Sequence, residues 1–247
     1  MLSSTYLQQA CGWLLAMAAM AAIPPAHAGS FSVAPIRADL KSGVLSETIT
    51  VTNEAKTRLR VLVKLVAWTQ DAQGKDVYTD SSDLVYFPRQ MDIEPGAKRL
   101  VRVGAKAPGQ GVERAYRLFI EEVPEPGAGP AAAVNFYFRF GVPVFVTPAS
   151  AAPQPAFQPT LAAGKLALEV TNQGTQHFRA SRVTFSDQGG WTIEVAGWYS
   201  LPGTSRSYQV EVPIEVCRKA RSFGVVVEAD DGTKRDYSLD ANPASCS

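Results

Sequence analysis

The sequence predicts an all-β protein made of two β-sandwich domains. Three observations lead to this prediction: β-branched and aromatic runs recur at short intervals, turn residues separate them, and a proline-rich stretch divides them into two blocks. Glycine and proline, at 19 and 17 of the 247 residues, favour many short strands over long helices. Hydrophobic residues make up 46% of the chain and charged residues 19%, so it can bury a core.

The first 28 residues are expected to be a cleaved export signal rather than part of the fold. Residues 12–23 form an apolar run too short to span a bilayer, which takes about 20 residues. Ala26-His27-Ala28 then has the small-x-small form of a signal-peptidase site. No Lys or Arg precedes the apolar run, so the usual positive n-region is absent or the true start of the protein lies elsewhere. The alternative is an apolar N-terminal helix of the fold.

Cleavage after Ala28 would leave 247 − 28 = 219 residues and an even pair of cysteines, Cys217 and Cys246. An oxidising compartment, to which an export signal leads, favours a disulfide between them. Closing a loop of about 30 residues is worth roughly 3 to 4 kcal/mol in the chain-entropy account. The alternative, two free thiols in a reducing cytosol, conflicts with the export signal.

The first block contains runs that read as strands, with turn-rich pieces between them. The predicted strands are 31–40, 47–53, 60–68, 98–105, 115–123 and 134–146. About seven short strands in about 100 residues are typical of an immunoglobulin-like sandwich. After the predicted signal, no segment has the periodicity of a convincing amphipathic helix.

A proline-rich stretch at 147–159 separates this block from a second run of strands. We therefore predict a first domain over 29–148, a linker over 149–158 and a second domain over 159–247. The tripeptide Val-Thr-Asn closes an apolar strand in both blocks, at 51–53 and 170–172. This repetition indicates a duplicated sandwich, although three residues are too few to establish one.

Three local patterns follow one another along the first block. Arg37 lies in the opening strand PIRADL, AYRLFIEEVPEP occupies 115–126, and NFYFRFGVPVFVTP occupies 135–148 before the proline-rich stretch. Together they resemble the PapD-like periplasmic pilus (fimbrial) assembly chaperones, and the last strand is most similar to the archaic branch of the chaperone-usher family. The resemblance covers essentially the whole mature chain. It implies two immunoglobulin-like domains that form an L-shaped cleft, in a protein of the periplasm.

The resemblance also implies a function, the stabilisation of pilin subunits and their delivery to an outer-membrane usher for pilus assembly. A pilin is an immunoglobulin-like sandwich that lacks its final strand, and the chaperone lends one of its own by donor-strand complementation. Alternation places the apolar positions of the strand before the linker on one face. The predicted donor positions are Ala132, Val134, Phe136, Phe138 and Phe140. The alternative is an ordinary core strand, because an apolar face usually belongs to a core.

A donor strand needs an anchor that fixes its register, and the family holds the subunit's C-terminal carboxylate with two basic residues in the cleft. Arg37 falls at the first of these positions. The second, a lysine in the better-known branch, falls on Pro143, which cannot bind an anion. Arg139 on the same strand face and Arg117 on the neighbouring strand are the candidates to replace it. The alternative for these arginines is a solvated strand position.

Other functional classes receive little support from the sequence. A net charge of +1 argues against nucleic-acid binding. His177 is the one histidine after the predicted signal, there is no G-x-S-x-G turn, and no Cys/His cluster could bind a metal. The acidic pairs Glu121-Glu122 and Asp230-Asp231 are adjacent in sequence, so on a strand their side chains would point to opposite faces. We expect no enzyme activity, no cofactor, no nucleic-acid partner and no membrane insertion.

The competing hypothesis is a secreted surface protein, structural or adhesive, made of two immunoglobulin-like domains. It would share the export signal, the disulfide and the linker. Such a protein would cover the apolar strand and would have no use for a basic residue in the cleft. Whether the free protein associates with itself to cover that strand is left open by the sequence.

Overall fold

Two β-sandwiches follow one another along the chain in the computed structural model, which describes residues 31–41, 43–123 and 137–246. This architecture confirms the predicted fold class. The predicted export signal lies outside the described residues and stays a prediction. Within the described ranges, no helix is long and apolar enough to cross a membrane.

The first sandwich packs a four-stranded sheet against a six-stranded sheet. Its strands are β1 (Phe31–Ala34), β2 (Ala38–Leu40), β3 (Ser46–Asn53), β4 (Leu59–Gln70), β5 (Asp76–Asp80), β6 (Leu84–Phe87), β7 (Gln90–Ile93), β8 (Lys98–Ala105), β9 (Arg114–Glu122) and β10 (Arg139–Val146). One sheet has the order β1-β3-β8-β6, and the other has the order β2-β10-β9-β4-β5 with β7 also paired to β4. Alternate residues of both sheets point inward and form one apolar core.

The strand predicted over 31–40 is divided between the two sheets. β1 pairs antiparallel with β3, whereas β2 pairs in parallel with β10. The division falls at Pro35, which has no N–H to donate to a ladder. Arg37 therefore lies where the chain crosses from one sheet to the other, directly before β2.

The second sandwich has two smaller sheets with the orders β11-β12-β16 and β14-β13-β17-β18, and β15 also pairs with β13. Its strands are β11 (Pro155–Ala162), β12 (Lys165–Asn172), β13 (Phe178–Asp187), β14 (Thr192–Ala196), β15 (Tyr199–Ser200), β16 (Ser205–Glu211), β17 (Ser222–Ala229) and β18 (Lys234–Asp240). Apolar residues from both sheets form a second core, separate from that of the first sandwich.

A short helix, α1 (Ile214–Lys219), departs from the purely β prediction for the second block. Six residues are too few to show a helical period in the sequence. Cys217 in α1 forms a disulfide with Cys246 in the 3-10 turn Pro243–Cys246, as predicted. The bond ties the end of the chain to the helix beside the second core.

The connection between the sandwiches is shorter than the predicted linker of 149–158. β11 begins at Pro155, and its pairing with β12 runs from Pro155 to Ala162. Proline is tolerated in this strand because β11 lies at the edge of its sheet. Proline content therefore placed the end of the linker too late.

The two Val-Thr-Asn tripeptides end β3 and β12 in the same way. Asn53 and Asn172 are both fully buried. Each side-chain amide donates hydrogen bonds to two backbone carbonyls, and each side-chain carbonyl accepts the N–H two residues later. The shared tripeptide thus closes an equivalent turn in each sandwich.

Apolar and polar contacts join the two sandwiches at one end. A buried cluster combines Trp68 and Phe145 of the first with Tyr199 and Leu201 of the second. Beside it, the Gln70 side chain donates to the carbonyl of Tyr199, at 2.9 Å, and accepts the N–H of Leu201, at 2.9 Å. These contacts fix the angle between the sandwiches and leave a cleft on one side.

Candidate functional site

A cleft of about 540 Å³ opens between the two sandwiches. Its charged lining consists of three arginines and two aspartates: Arg37, Asp39, Arg117, Arg179 and Asp230. Arg37, Asp39 and Arg117 come from the first sandwich, and Arg179 and Asp230 from the second. The cleft is therefore assembled by the tertiary structure from residues distant in sequence.

Arg37 lies at the point where β2 begins. The next residue, Ala38, pairs with Val144 of β10. The Arg37 Nε donates to Asp39 at 3.0 Å, and its Nη1 donates to Asp230 at 2.9 Å. Partial burial alone would lower the pKa of Arg37, but Asp39, Tyr199 and Asp230 raise it above its ordinary value. The guanidinium is thus a permanent cation at the cleft.

Arg117 stands directly opposite Pro143 in the β9–β10 ladder. Residues that face each other across an antiparallel pair lie on the same side of the sheet, with Cβ atoms about 5 Å apart. The structure therefore places this arginine beside the position where the resemblance leads one to expect a lysine. A cation missing from one strand is present on its neighbour.

Arg117 is buried, with 4% of the residue exposed, and it forms no ion pair among the described residues. Its Nη1 donates to the carbonyl of Gly141 at 2.9 Å, whereas its Nε and Nη2 are buried without a hydrogen-bond partner in the part of the chain that the structure describes. The guanidinium carbon lies 4.0 Å from the ring centre of Trp68 and 5.1 Å from that of Trp198. Burial lowers the pKa of Arg117. Each unpaired donor costs about 1 to 3 kcal/mol, which an anion in the cleft would recover.

The second sandwich contributes Arg179, which sequence reasoning missed because it looked like any other strand arginine. Arg179 pairs with Tyr199 in the β13–β15 ladder. Its Nη1 donates to Asp230 at 2.7 Å, and its Nε is buried with no hydrogen-bond partner among the residues that the structure describes. The guanidinium carbon lies 5.0 Å from the ring centre of Tyr199. Arg179 thus adds a third cation to the cleft.

The charges lining the cleft sum to +1, from three arginines and two aspartates. Asp39 is paired with Arg37, and Asp230 is paired with both Arg37 and Arg179. Among the described residues, Arg117 forms no ion pair with Asp39 or Asp230, while Asp76 and Tyr78 nearby offset part of the lowering of its pKa by burial. This arrangement suits one monoanion, such as a carboxylate, in a partly desolvated site.

Arg139, the other predicted replacement for the lysine, lies outside the cleft lining. Four residues along the strand separate it from Pro143, a distance of about 13 Å. Its Nε pairs with Glu121 at 2.7 Å, and its guanidinium carbon lies 3.6 Å from the ring centre of Phe119. Sharing a strand face with Pro143 did not bring Arg139 to the cleft.

β10 has an open backbone edge over part of its length. One side pairs with β9 over all of 139–146, whereas the described residues pair with the other side only at 144–146, through β2. Among the described residues, 139–143 therefore have a strand partner on one side only, although the Gly141 carbonyl accepts the Arg117 side chain. This edge ends where β2 begins, which is where Arg37 lies.

The predicted donor positions fall partly on this edge. Ala132, Val134 and Phe136 lie outside the described residues. Phe138 is 37% exposed, and its backbone bonds to Glu122 of β9 at the start of the edge. Phe140 is partly buried, and its ring packs edge-on against Phe31 with ring centres 4.9 Å apart.

Beyond Phe140 the apolar row belongs to the first core. Val142 and Val144 are 3% and 0% exposed. The apolar side chains that alternation places on one face of this strand are thus divided at Phe140. Phe138 before it is partly exposed, whereas Val142 and Val144 after it lie in the core. Alternation identifies a shared face, but it cannot tell which part of that face the opposite sheet covers.

His177 lies between the sandwiches, with 9% of its side chain exposed. Its ring stacks on Phe145 with ring centres 3.8 Å apart, and its Nδ1 lies 2.6 Å from Glu113. The Glu113 carboxylate also accepts the Thr147 hydroxyl at 2.7 Å. In the described part of the chain, no group of three His, Cys, Asp or Glu side chains could bind a metal ion.

Comparisons with solved structures place the fold among pilus chaperones. The chaperone–tip adhesion subunit pre-assembly complex CsuC–CsuE, from the archaic Csu pili of Acinetobacter baumannii, contains a chain with a TM-score of 0.62 and 21% identity, covering 85% of this chain and 98% of that one. The chaperone YadV matches with a TM-score of 0.59 and 17% identity, covering 86% and 100%. A chain in the complex of the Salmonella enterica pilin SafA with the chaperone SafB matches at 0.55 and 15% identity, covering 86% and 97%.

A family model identifies the first sandwich directly. The model described as pili and flagellar-assembly chaperone, PapD N-terminal domain, matches residues 30–152. No curated protein sequence matches the chain. By its first sandwich the chain belongs to the family of pilus-assembly chaperones with a PapD N-terminal domain.

Proposed function

We propose that this protein is a periplasmic chaperone that binds pilin subunits by donor-strand complementation and delivers them to an outer-membrane usher. It would act by binding rather than by catalysis and without a cofactor. The relatives solved with a tip adhesion subunit and with a pilin support pilins as the class of partner.

The open edge of β10 carries this proposal. A sheet edge with unpaired N–H and C=O groups is a template for pairing with another chain, and soluble proteins usually cover or interrupt such edges. This edge of β10 runs over 139–143 and ends beside Arg37, because β2 pairs with β10 from Val144 onward. A strand added here would be stopped by β2, so its terminal group would reach the arginine cleft.

The direction of the added strand follows from the same geometry. β10 runs from Arg139 toward Val146, and Arg37 lies at the Val144 end of the open edge. A strand whose C-terminal carboxylate reaches Arg37 must therefore run parallel to β10. A subunit strand in this orientation would bring its terminal carboxylate to the cleft, where Arg117 has unpaired donors.

We assign Arg37 and Arg117 as the anchor of that carboxylate. Arg37 lies at the end of the edge, and Arg117 has two buried nitrogens, Nε and Nη2, without a hydrogen-bond partner among the described residues. A guanidinium–carboxylate contact is worth roughly 1.5 to 3 kcal/mol per charge-assisted bond. Arg139 is engaged by Glu121 outside the cleft and would act at the start of the edge instead. The donor positions remain Ala132, Val134, Phe136, Phe138 and Phe140.

Capture of a subunit from the native periplasm tests the donor edge. Tagged wild-type protein and the variant Phe138→Asp would be recovered from periplasmic extract, and the bound proteins identified by mass spectrometry. We expect the wild type to retain a small secreted β-protein and the variant to lose it, because a carboxylate cannot occupy an apolar groove of the subunit.

Phe87→Asp provides the matched control. Phe87 is 74% exposed and lies on β6, at the edge of the other sheet. This variant should retain the same partners as the wild type. Equal recovery by Phe138→Asp and the wild type would reject the donor edge and favour a surface protein of two immunoglobulin-like domains.

A further inference from the structure

Asp230 occupies a central position among the cleft arginines. Its Oδ2 accepts Nη1 of Arg37 at 2.9 Å, and its Oδ1 accepts Nη1 of Arg179 at 2.7 Å. One carboxylate thus bridges a guanidinium of the first sandwich and a guanidinium of the second. Each oxygen of the carboxylate binds one arginine, as the two oxygens of a polypeptide C-terminus would.

The side chain of Asp230 can leave this position without disturbing a core. It lies in the turn between β17 and β18, and 30% of the side chain is exposed. The Asp230 backbone is held separately, because its N–H donates to the carbonyl of Arg179 at 3.1 Å. The carboxylate can therefore rotate toward solvent while the turn keeps its place.

Displacement of Asp230 would change the charge that an incoming anion meets. With Asp230 in place, its carboxylate neutralises part of the charge of Arg37 and Arg179. With Asp230 turned away, both guanidinium groups face the cleft beside Arg117. The Arg179 Nε, buried and unpartnered, is a further donor on the same residue.

We propose that Asp230 is an internal competitor for the carboxylate site, displaced by the C-terminus of a bound subunit, and that Arg179 then serves as a third anchor. This inference rests on the proposed function. An internal carboxylate weakens the binding of small anions, which compete only for the cleft. A subunit strand also pairs with β10, and this additional binding displaces the competitor.

A purely structural role for Asp230 predicts the opposite change in anion affinity when its charge is removed. If the bridge only held the two sandwiches together, removing its charge would loosen the cleft and weaken anion binding. If Asp230 competes, removing its charge strengthens binding. An exposed ion pair contributes up to about 1 kcal/mol, which corresponds to a gain of up to about fivefold in affinity.

The test compares Asp230→Asn with Asp231→Asn in the full mature protein. Asp231 is the adjacent acid of the same turn, and its carboxylate binds the N–H and hydroxyl of Thr233 rather than an arginine. The probe is the tripeptide acetyl-Val-Thr-Val with a free carboxylate, and its C-terminal amide is the control ligand. Binding is followed through the arginine Nε–Hε signals in nitrogen-15 NMR.

We expect the acid tripeptide to bind Asp230→Asn about fivefold more tightly than it binds wild type or Asp231→Asn. In wild type, the acid tripeptide should shift the Arg179 Nε signal and the side-chain carboxyl carbon signal of Asp230. Unchanged or weaker binding by Asp230→Asn, or unmoved Asp230 and Arg179 signals at saturation, overturns the competitor role. The signals of wild type give this answer even if the variant is poorly folded.

A second comparison separates this inference from the proposed anchor. Arg117→Met keeps the length of the side chain and removes its charge. If wild type binds the acid and the amide equally, or if Arg117→Met binds the acid as wild type does, the anchor itself is wrong and the competitor role is rejected with it. If wild type prefers the acid to the amide and Arg117→Met binds the acid more weakly, the anchor stands. Asp230→Asn binding the acid no more tightly than wild type then rejects the competitor role alone.

Discussion

Arg117 is the residue whose surroundings differ most from what its local sequence suggests. On β9 it follows Tyr116 and precedes Leu118, and nothing in that segment marks it as different from the other strand arginines. The structure buries it against Trp68 and Trp198 and leaves two of its nitrogens unpaired. Burial of a cation costs free energy, which the rings of Trp68 and Trp198 offset in part.

Tyr116, the next residue, gives a prediction for the pH dependence of stability. Burial and a hydrogen bond to Asp83, with the two oxygens 2.8 Å apart, raise the pKa of Tyr116 to about 12. The unfolded chain ionises near 10. Because the folded pKa is raised, the stabilisation is fully present below pH 10 and is lost as the pH rises toward 12.

We expect wild type to lose stability relative to Tyr116→Phe between pH 10 and pH 12. Urea unfolding at several pH values in this window measures the difference. Tyr137→Phe is the control, since Tyr137 is 51% exposed and should change the pH profile little. Parallel profiles for wild type and Tyr116→Phe would contradict the assigned pKa.

β10 combines two roles at the level of the element. Val142, Val144 and Val146 are buried in the first core, and the strand pairs on both sides from Val144 onward, which holds it in place. At its beginning, 139–143, the described residues pair with it on one side only. Pro143 is compatible with such an edge, because a proline inside a fully paired strand would leave a neighbouring carbonyl without a donor.

The asparagines that end β3 and β12 give a prediction for element stability. Asn172 is fully buried and its side chain makes four hydrogen bonds to backbone groups: it donates to the carbonyls of Gln176 and Ser200 and accepts the N–H groups of Gly174 and Gln154. Asn172→Ala should lower the free energy of unfolding of the second sandwich by about 3 kcal/mol, because buried groups lose their partners.

Urea denaturation followed by tryptophan fluorescence measures this change. Asn242→Ala is the matched control, since that asparagine is exposed and its side chain caps one N–H, that of Ala244. The control should change stability by less than about 1 kcal/mol. Similar effects of the two substitutions would show that burial of Asn172 does not determine its contribution.

At the scale of the whole molecule, the cleft exists because the sandwiches are held at a fixed angle. Glu113 precedes β9, Thr147 follows β10, and His177 precedes β13, and these three side chains meet at the interface. The Glu113 side chain is fully buried, so its carboxylate depends on these partners in place of water. This network connects both sandwiches at the C-terminal end of β10, the strand whose residues Gly141 and Pro143 line the cleft.

His177→Ala should therefore destabilise the interface by about 2 kcal/mol or more, since it removes a bond to a buried carboxylate and the stack on Phe145. Thermal unfolding gives the stability, and small-angle X-ray scattering gives the angle between the sandwiches. His177→Phe is the matched variant, because it retains the stacked ring but removes the Nδ1 atom.

We expect His177→Phe to recover part of the lost stability and to leave the angle closer to that of wild type. If both variants behave as wild type in both measurements, the network does not hold the sandwiches. If they behave alike and both are destabilised, the bond to Glu113 matters more than the stack.

The fold class, the two blocks and the disulfide were predictable from the sequence, because strand alternation, turn residues and cysteine number can be read directly along the chain. It also pointed to Arg37 and to the strand before the linker as candidates for the site. The shorter linker and the six-residue helix were missed, since proline content and short segments carry weak signals.

The set of residues that meet in the cleft was not predictable from the sequence. Cross-strand register places Arg117 beside Pro143, and the strand spacing keeps Arg139 away. The packing of the second sandwich brings Arg179 and Asp230 close to Arg37, although 193 positions of sequence separate Asp230 from Arg37. Register and domain packing depend on long-range contacts, which no local pattern in a single sequence records.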